Sequence, residues 1–444
     1  MTQDKISLYP AIYRSMIGKY SVYALQVISM IIMARVFTPE QFGKVATVQV
    51  ILVFFQLLTE AGIGPALINV DKLSKEDRNG IFTISLVAGF LFSFSFIGLS
   101  ETIEQFYNVH EISEIIPYIA ISVFFYSICI YPNAALMRDQ KFYQIAVASF
   151  FGELIATFFV IVSSHVMLPP LVALATKPLV SSLIQFCILY YFSKYTELGR
   201  AVPGKKLSAI KPILAFSLYQ FGFNFINYFS RNLDNILIGK YLGVATLGVY
   251  EKSYQLMRYP LLLLTFAMTP AIQPALRKHR NEPSEIEKIH SDFSIKLIYI
   301  GLITGLLTYF SSYYIVLILL GDQWLGVVPI IKIFSLSIPI QVVLSTSGSF
   351  FQTLERADLL FFSGVISAVC MVSAIVAGVV QKDVLLLSEY LLIAFNINFI
   401  QTYIIMYRFA LKINPLVFFR RMFVPLLLSV LITGGGLSVL TWGF

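Results

Sequence analysis

Apolar runs of about 18 residues or more recur along nearly the whole of this 444-residue chain. A run of that length can cross the hydrocarbon core of a bilayer as a single α-helix. Only 13% of the residues are charged, which is about half the fraction of an average soluble protein. The pattern predicts an all-α integral membrane protein with about 12 transmembrane helices, or 13 if the last run also spans. The predicted spans are 17–37, 44–69, 80–100, 113–136, 142–164, 169–193, 212–239, 247–274, 293–320, 327–352, 359–380, 384–409 and, at the end of the chain, 423–441.

The distribution of basic residues predicts the orientation of these helices. Cytoplasmic loops of membrane proteins are enriched in Lys and Arg. With the N-terminus inside, the loops that would face the cytoplasm carry most of the basic residues, and segment 194–211 is among the richest. Segment 101–113, which would face outside, has three glutamates and neither Lys nor Arg. We therefore expect a multi-pass protein with a cytoplasmic N-terminus, and we assign the charge of +8 to membrane orientation and not to nucleic-acid binding.

The sequence also contains an internal repeat. Arg35 corresponds to Lys240 and Gly43 corresponds to Gly248, each pair at an offset of 205 (240 − 35 and 248 − 43). Duplicated halves with a site between them are a recurrent plan in secondary transporters. The repeat and the long hydrophilic segment at its centre predict four regions: an N-terminal six-helix bundle at 1–193, a cytoplasmic linker at 194–211, a C-terminal six-helix bundle at 212–409, and a basic segment with an extra helix at 410–444.

Charged residues at membrane depth are the candidate site. Placing a charge in hydrocarbon costs several kcal/mol, so such residues mark either a buried pair or a substrate pathway. Arg231 and Asp234 lie three apart on one helix and can meet, so internal pairing stays open as the alternative. The excess of basic groups in the outer halves of the central spans favours a cavity for an anionic headgroup, since Arg binds phosphate oxygens bidentately. The predicted substrate-binding residues are Arg231, Asp234, Lys252, Arg258, Arg35, Lys240, Glu60 and Lys177.

The sequence carries none of the common catalytic motifs. It has no P-loop, HExxH, CxxC or nucleophile elbow. The three cysteines lie in apolar runs without metal-ligand spacing, and the four histidines fall in or beside predicted loops, where we expect them to be solvated. We therefore expect a transporter and not an enzyme, with no cofactor and no bound metal.

Three segments resemble a known family. They are A-R-V-F-T-P-E-Q-F-G-K-V-A (Ala34–Ala46), F-F-Q-L-L-T-E-A-G-I-G-P-A-L-I (Phe54–Ile68) and R-N-L-D-N-I-L-I-G-K-Y-L-G-V-A-T-L-G-V-Y (Arg231–Tyr250). The chain resembles the polysaccharide transporter family, the Wzx-type flippases of O-antigen and exopolysaccharide units. That family belongs to the MOP exporter superfamily, together with MATE drug exporters and lipid II flippases.

The resemblance implies a fold and a function. The fold would be two pseudo-symmetric six-helix bundles that form a V around a central cavity, in a bacterial inner membrane. The chain would flip an undecaprenyl-pyrophosphate-linked oligosaccharide by alternating access. A coupling ion (H+ or Na+), membrane lipids, a polysaccharide polymerase and glycosyltransferases are the expected partners. The run 423–441 departs from the usual even number of helices in the family.

Two other functions stay open at this stage. A MATE-like ion-coupled multidrug exporter would need an excess of carboxylates in its cavity, whereas the central spans here are at least as basic as acidic. A membrane-embedded polysaccharide polymerase or ligase would need a sizeable outside loop, and every predicted outside loop is short.

Overall fold

A computed structural model of the chain describes residues 8–60, 63, 64, 67, 73–207, 228, 229, 232–265, 272, 276 and 282–442. These residues are helical or in turns and short loops, and none of those described forms a β-strand. The chain divides into two compact units, Met1–Asn232 (unit 1) and Leu233–Phe444 (unit 2). The predicted all-α membrane fold is confirmed, while the region boundaries near 193 and 212 stay a prediction.

Unit 1 is built around one long central helix. Its helices are α1 (Leu8–Val36), α2 (Pro39–Glu60), α3 (Lys75–Gly98), α4 (Ser100–Tyr107), α5 (Ile112–Arg138), α6 (Phe142–Val166), α7 (Pro170–Ala175) and α8 (Lys177–Ser193). Helix α5 packs against α2, α3 and α8, while α6 packs between α8 and α1. The core beside α5 is aliphatic and aromatic, with Phe55 stacked on Phe96 at 4.7 Å between ring centroids. Burial of so many apolar side chains fixes α5 in the middle of the unit.

Unit 2 contains a second set of packed helices. They are a helix over residues 232–241 (α9), α10 (Val244–Thr265), α11 (Pro283–Leu319), α12 (Val327–Ser335), α13 (Ile338–Thr353), α14 (Ala357–Val380), α15 (Val384–Ile405), α16 (Pro415–Arg421) and α17 (Phe423–Trp442). Helix α15 continues as a π-helix at Met406–Leu411. Helix α11 packs against α12 and α13, and α14 packs along α15.

Side-chain caps and prolines define several helix ends. Ser74 accepts a hydrogen bond from the Asp77 amide at 3.1 Å, which satisfies one of the free N–H groups at the start of α3. Asp383 caps α15 through the amides of the second and third residues after it. Asn414 caps α16, whose first residue is Pro415, a residue that needs no hydrogen-bond acceptor there.

Eight helices are long and apolar enough to span a membrane, or ten if each of two bent pairs counts as one span, within the ranges described above. In α1, residues Tyr20–Val36 form an apolar helix within the described part of the chain, and predicted span 212–239 lies mostly outside the described residues. Helix α10 is long enough, but its charged residues make it less apolar than the others. The predicted count of 12 or 13 therefore stays a prediction.

The helix breaks fall in register with the sequence repeat. In unit 1, α2 begins at Pro39, and in unit 2, α10 begins at Val244, an offset of 205 (244 − 39). The repeat-related glycines, Gly43 and Gly248, are both buried on these helices. The same spacing of helix, short turn and helix in the two halves agrees with duplication.

Residues 194–207 form an extended strap across one end of unit 1. Five side chains hydrogen-bond the backbone of the strap. Four of them lie on α3, α5 and α8, and the fifth is Asp139, directly after α5: Asn79, Thr83, Tyr131, Asp139 and Tyr190. The Thr83 hydroxyl both accepts from the Gly204 amide at 2.7 Å and donates to the Gly204 carbonyl at 2.8 Å. Within the predicted hydrophilic linker, residues 194–207 are therefore held against unit 1 by these hydrogen bonds.

Two sequence-based expectations about loops are wrong. Segment 101–113 contains helix α4, because Ile103 and Tyr107 form a buried face of an otherwise polar helix. Helix α11 begins at Pro283, ten residues before the predicted span, so His290 lies in a helix and is fully buried instead of solvated. Its ring contacts Phe350, with 4.6 Å between ring centroids.

Candidate functional site

The candidate site is a cavity inside unit 1. Its volume is about 730 Å³, within the range of about 300–1,000 Å³ that is usual for small-molecule sites. Helices α1, α2, α5, α6 and α8 line it, with Gly64. The polar lining residues are Gln26, Gln49, Gln56, Glu60, Tyr126, Asn133, Ser149, Ser181, Ser182 and Gln185. A polar chamber in a bundle of this apolar character is the place where a polar ligand can be held.

Helix periodicity places the polar groups of α2 on one stripe. Gln49, Val53, Gln56 and Glu60 are spaced by three or four residues, which is one face of an α-helix. The Tyr126 side chain, from α5, interacts with the Glu60 carboxyl. Among the predicted site residues that the structure describes, Glu60 is the one that lines this cavity.

The opposite wall depends on a close approach of α6 and α8. At Gly152 of α6, a Cβ atom would lie 2.8 Å from the Gln185 Cγ and 3.1 Å from the Ser181 carbonyl oxygen. Glycine therefore lets α8 pack closely, which an alanine would prevent. The Gln185 amide donates to the Ser181 hydroxyl at 3.0 Å, and this contact orients the amide along the wall of the cavity.

Lys177 belongs to a separate polar cluster between α1, α6 and α8. Its ammonium lies 2.7 Å from a carboxylate oxygen of Glu153 and donates to the Ser29 hydroxyl at 3.1 Å. Ser29 in turn lies 2.6 Å from the Thr157 hydroxyl. Lys177 is next in sequence to Pro178, which lines the cavity. The cluster gives the ammonium an internal partner, which is the alternative that the sequence left open for such charges.

Asp234 and Lys252 lie in unit 2 and are both buried. The Tyr250 hydroxyl donates to one Asp234 carboxylate oxygen at 2.8 Å, and the Asn235 amide donates to the other at 2.8 Å. Lys252 donates to the side-chain oxygen of Gln255 at 3.0 Å. Asp234 therefore has two donors besides any contact with Arg231.

The remaining predicted site residues are less enclosed. Arg258 is exposed on α10, Lys240 is half-buried at the end of α9, and Arg35 is exposed in the last turn of α1. Arg231 lies outside the described residues, so its pairing with Asp234 stays a prediction. Within unit 1 the structure places Glu60 in the cavity and Lys177 beside it.

Sequence reasoning missed part of the cavity. The predicted site residues include none of the five lining amides, among them Asn133 and Gln185 in the fourth and sixth predicted spans. Both of these are amides inside long apolar runs, and an amide in a membrane helix needs a hydrogen-bond partner. That signal was readable in the sequence, although nothing in the sequence shows that these side chains face one chamber.

Comparisons with known proteins agree with the fold and the resemblance. The teichuronic acid biosynthesis protein TuaB of Bacillus subtilis is 22% identical over 418 residues, which cover 93% of this chain and 85% of TuaB. The lipopolysaccharide biosynthesis protein WzxC of Escherichia coli is 21% identical over 421 residues, covering 94% and 84%. The lipid II flippase MurJ, in an inward closed conformation, superposes with a TM-score of 0.75 at 11% identity, over 94% of this chain and 92% of MurJ.

The similarity to MurJ shows the fold, and the family match shows the relationship by sequence. The profile of the family described as "Polysaccharide biosynthesis protein" matches residues 32–329, from the end of α1 into α12. This segment includes all three sequence segments on which the resemblance rests, so the resemblance is confirmed. The expectation of a transporter and not an enzyme agrees with these relatives. The chain is a multi-pass membrane protein and belongs to the polysaccharide biosynthesis protein family.

Proposed function

We propose that this protein is a flippase that moves an undecaprenyl-pyrophosphate-linked oligosaccharide repeat unit across the bacterial inner membrane, for O-antigen, capsule or exopolysaccharide synthesis. The supporting observation is the polar cavity of about 730 Å³ in unit 1 of a chain that belongs to a polysaccharide biosynthesis family. A sugar needs such a chamber because its hydroxyl groups lose their water in hydrocarbon and must be hydrogen-bonded by the protein. The polyprenyl chain has no such need and stays in lipid.

The mechanism in this proposal is alternating access with the N-terminus in the cytoplasm. The basic residues of the strap, among them Lys194, Arg200 and Lys205, support a cytoplasmic position for that segment. Lys252 and Arg231 remain the proposed partners of the pyrophosphate. Asp234 is the proposed counter-ion that holds Arg231 until substrate arrives. The coupling ion in this mechanism is H+ or Na+.

The test uses purified protein in sealed vesicles. The vesicles contain undecaprenyl pyrophosphate that carries a galactose-terminated oligosaccharide, and galactose oxidase is added outside. In vesicles without protein, only the outward-facing half of the glycan should be oxidised, whereas active protein should make nearly all of it accessible over time. Oxidation that stops at the same level with and without protein would refute the proposal.

A second candidate is an ion-coupled exporter of cationic compounds, as in the MATE group. The observation that favours it is Glu60, a carboxyl group that lines the cavity, where the described lining residues include no Lys, Arg or His. The amides that share the lining favour the glycan. Vesicles loaded with a fluorescent organic cation separate the two candidates, because an exporter should move the cation under an imposed proton or sodium gradient and a glycan flippase should not.

A further inference from the structure

The cavity of unit 1 has a specific chemical character. Five of its lining residues are amides, three are serines and one is a tyrosine. Amide and hydroxyl groups can both donate and accept hydrogen bonds, as sugar hydroxyls do. Phosphate oxygens and carboxylates are acceptors only, and tight sites for them use Arg, Lys or converging backbone N–H groups. Among the described residues that line the cavity, none is Lys, Arg or His.

Several of these amides are available to a ligand. No described residue hydrogen-bonds the side-chain amides of Gln26, Gln49 or Gln56. Gln185 uses one N–H toward Ser181 and keeps its carbonyl oxygen and second N–H. Amides at this depth without a protein partner would be costly against lipid or an empty apolar pocket. They are therefore suited to a ligand rich in hydroxyl groups.

The carboxyl of Glu60 strengthens this selectivity. A second carboxylate or a phosphate in the same chamber would meet Glu60, and the described lining residues include no cation to offset the repulsion. Lys177, next in sequence to the lining residue Pro178, directs its ammonium to Glu153 and Ser29. A sugar hydroxyl, in contrast, can donate to Glu60 and accept from a neighbouring amide.

We propose that the cavity of unit 1 binds an uncharged sugar residue of the repeat unit, and that pyrophosphate and acidic sugars are held outside this cavity. The proposal rests on the proposed flippase function and deepens it, because it divides the substrate between sites of different chemistry. Gln56 of α2 and Gln185 of α8, which both line the cavity, are the specificity-determining residues. Glu60 accepts a hydroxyl of the bound sugar and disfavours a uronic acid.

The test measures equilibrium binding of three lipids to the full chain in nanodiscs. The first is undecaprenyl pyrophosphate without sugar, the second carries a neutral trisaccharide, and the third carries the same trisaccharide with a uronic acid at its terminal position. The wild type should bind the second lipid about tenfold or more tightly than the first, since one or two new hydrogen bonds supply that factor. The third lipid should also bind more tightly than the first, but by less than half of the factor that the neutral trisaccharide gives.

Substitutions locate the effect in the cavity. Gln56→Leu and Gln185→Leu should each reduce the gain from the neutral trisaccharide to about twofold or less, while binding of the sugar-free lipid stays within about twofold of wild type. Gln185→Lys should increase binding of the uronic acid lipid by about tenfold, because it adds a cation to the chamber. Gln105→Leu is the matched control, since Gln105 is an exposed glutamine of unit 1 outside the cavity. Gln56→Met serves as a second variant if the Leu variant unfolds.

The outcomes separate this inference from the proposed function. If the uronic acid lipid binds as tightly as the neutral one, or if both Leu variants keep the full gain, the inference is wrong even when the vesicle assay shows flipping. If the neutral trisaccharide gives a gain that depends on Gln56 and Gln185 but no flipping occurs, the proposed function is wrong and the sugar site stands. If no lipid binds to the wild type, both are wrong.

Discussion

The pair Lys177–Glu153 allows a decisive test of whether a charge at membrane depth serves structure or substrate. The ammonium and the carboxylate are 2.7 Å apart, and their side chains are 27% and 13% exposed. Lys177→Met leaves Glu153 without its cation, and Glu153→Gln leaves the ammonium without its anion. If the pair is structural, each single variant should be less stable than the double variant, because one unpaired charge is the costly state.

The size of the effect follows from burial. Breaking a fully buried ion pair costs about 3–5 kcal/mol. The partial exposure of Lys177 lets water reach the remaining charge, so we expect about 1–3 kcal/mol for each single variant. Unit 1 has 232 residues, and for a domain near that size 1 kcal/mol corresponds to about 2–4 °C in melting temperature. Each single variant should therefore melt roughly 4–8 °C below wild type for a loss near 2 kcal/mol.

The assay is thermal unfolding of detergent-solubilised protein at one fixed heating rate, together with surface polysaccharide in cells that lack the native gene. The Lys177→Met/Glu153→Gln double variant should recover most of the melting temperature and of the export. Ser29→Ala is a comparison variant that removes a hydroxyl in contact with the same ammonium and with the Thr157 hydroxyl. It leaves Lys177 and Glu153 paired, so adding Glu153→Gln should not restore its stability. A double variant that is stable but exports nothing would refute a purely structural role for the pair and would support a role of Lys177 in substrate binding.

Three further predictions concern the membrane topology, the Lys44–Glu111 ion pair and the packing of the strap. Single cysteines at Lys205 and Glu104, in a chain without its native cysteines, should label oppositely with an impermeant thiol reagent, and labelling of position 205 in intact cells would overturn the topology. The hydrogen bond from Lys44 holds the pKa of Glu111 below its usual range. The ionised Glu111 therefore stabilises the folded protein by about 0.2–1 kcal/mol at this exposed site. This stabilisation is complete above about pH 4.5 and is lost as the pH falls through the lower pKa of the folded state. Wild type should thus melt above Glu111→Gln at pH 7 and equal it near pH 3, and a constant gap would contradict this. In Gly80→Ala the new methyl would overlap a strap carbonyl, so proteolysis of residues 194–207 should accelerate; an unchanged cleavage rate would show that the strap does not depend on this contact.

The helices could be predicted from the sequence because one physical requirement dominates them. In a bilayer every backbone polar group must be satisfied within the chain, so a long apolar run is almost obliged to be a helix. The repeat also carried over to the structure, as the helix starts at Pro39 and Val244 show. The beginning of α11 was not predictable in this way, because Glu285, Glu287 and Lys288 are typical of a loop. The burial of His290 and its neighbours against other helices stabilises a helical conformation in that segment.

The cavity could not be predicted because its walls come from helices that are far apart in the sequence. Gln56 and Gln185 are far apart in the sequence of unit 1, and no local pattern shows that they line the same cavity. Helix contacts determine this, such as the close packing that Gly152 permits between α6 and α8. Periodicity describes one helix at a time, so it cannot show which faces of different helices meet at one cavity.

Charged residues at membrane depth are site candidates because burying a charge is costly. The same cost, however, favours folded structures in which the charge already has a partner within the protein. Lys177 has Glu153, and Asp234 has Tyr250 and a backbone amide. A neutral amide is cheaper to bury, so it stands out less in the sequence, but it can line a chamber without a counter-charge. For a ligand covered in hydroxyl groups the amides are the better chemical match. Under the proposed sugar site, the amides inside apolar runs are therefore a more direct guide to that site than the charged residues.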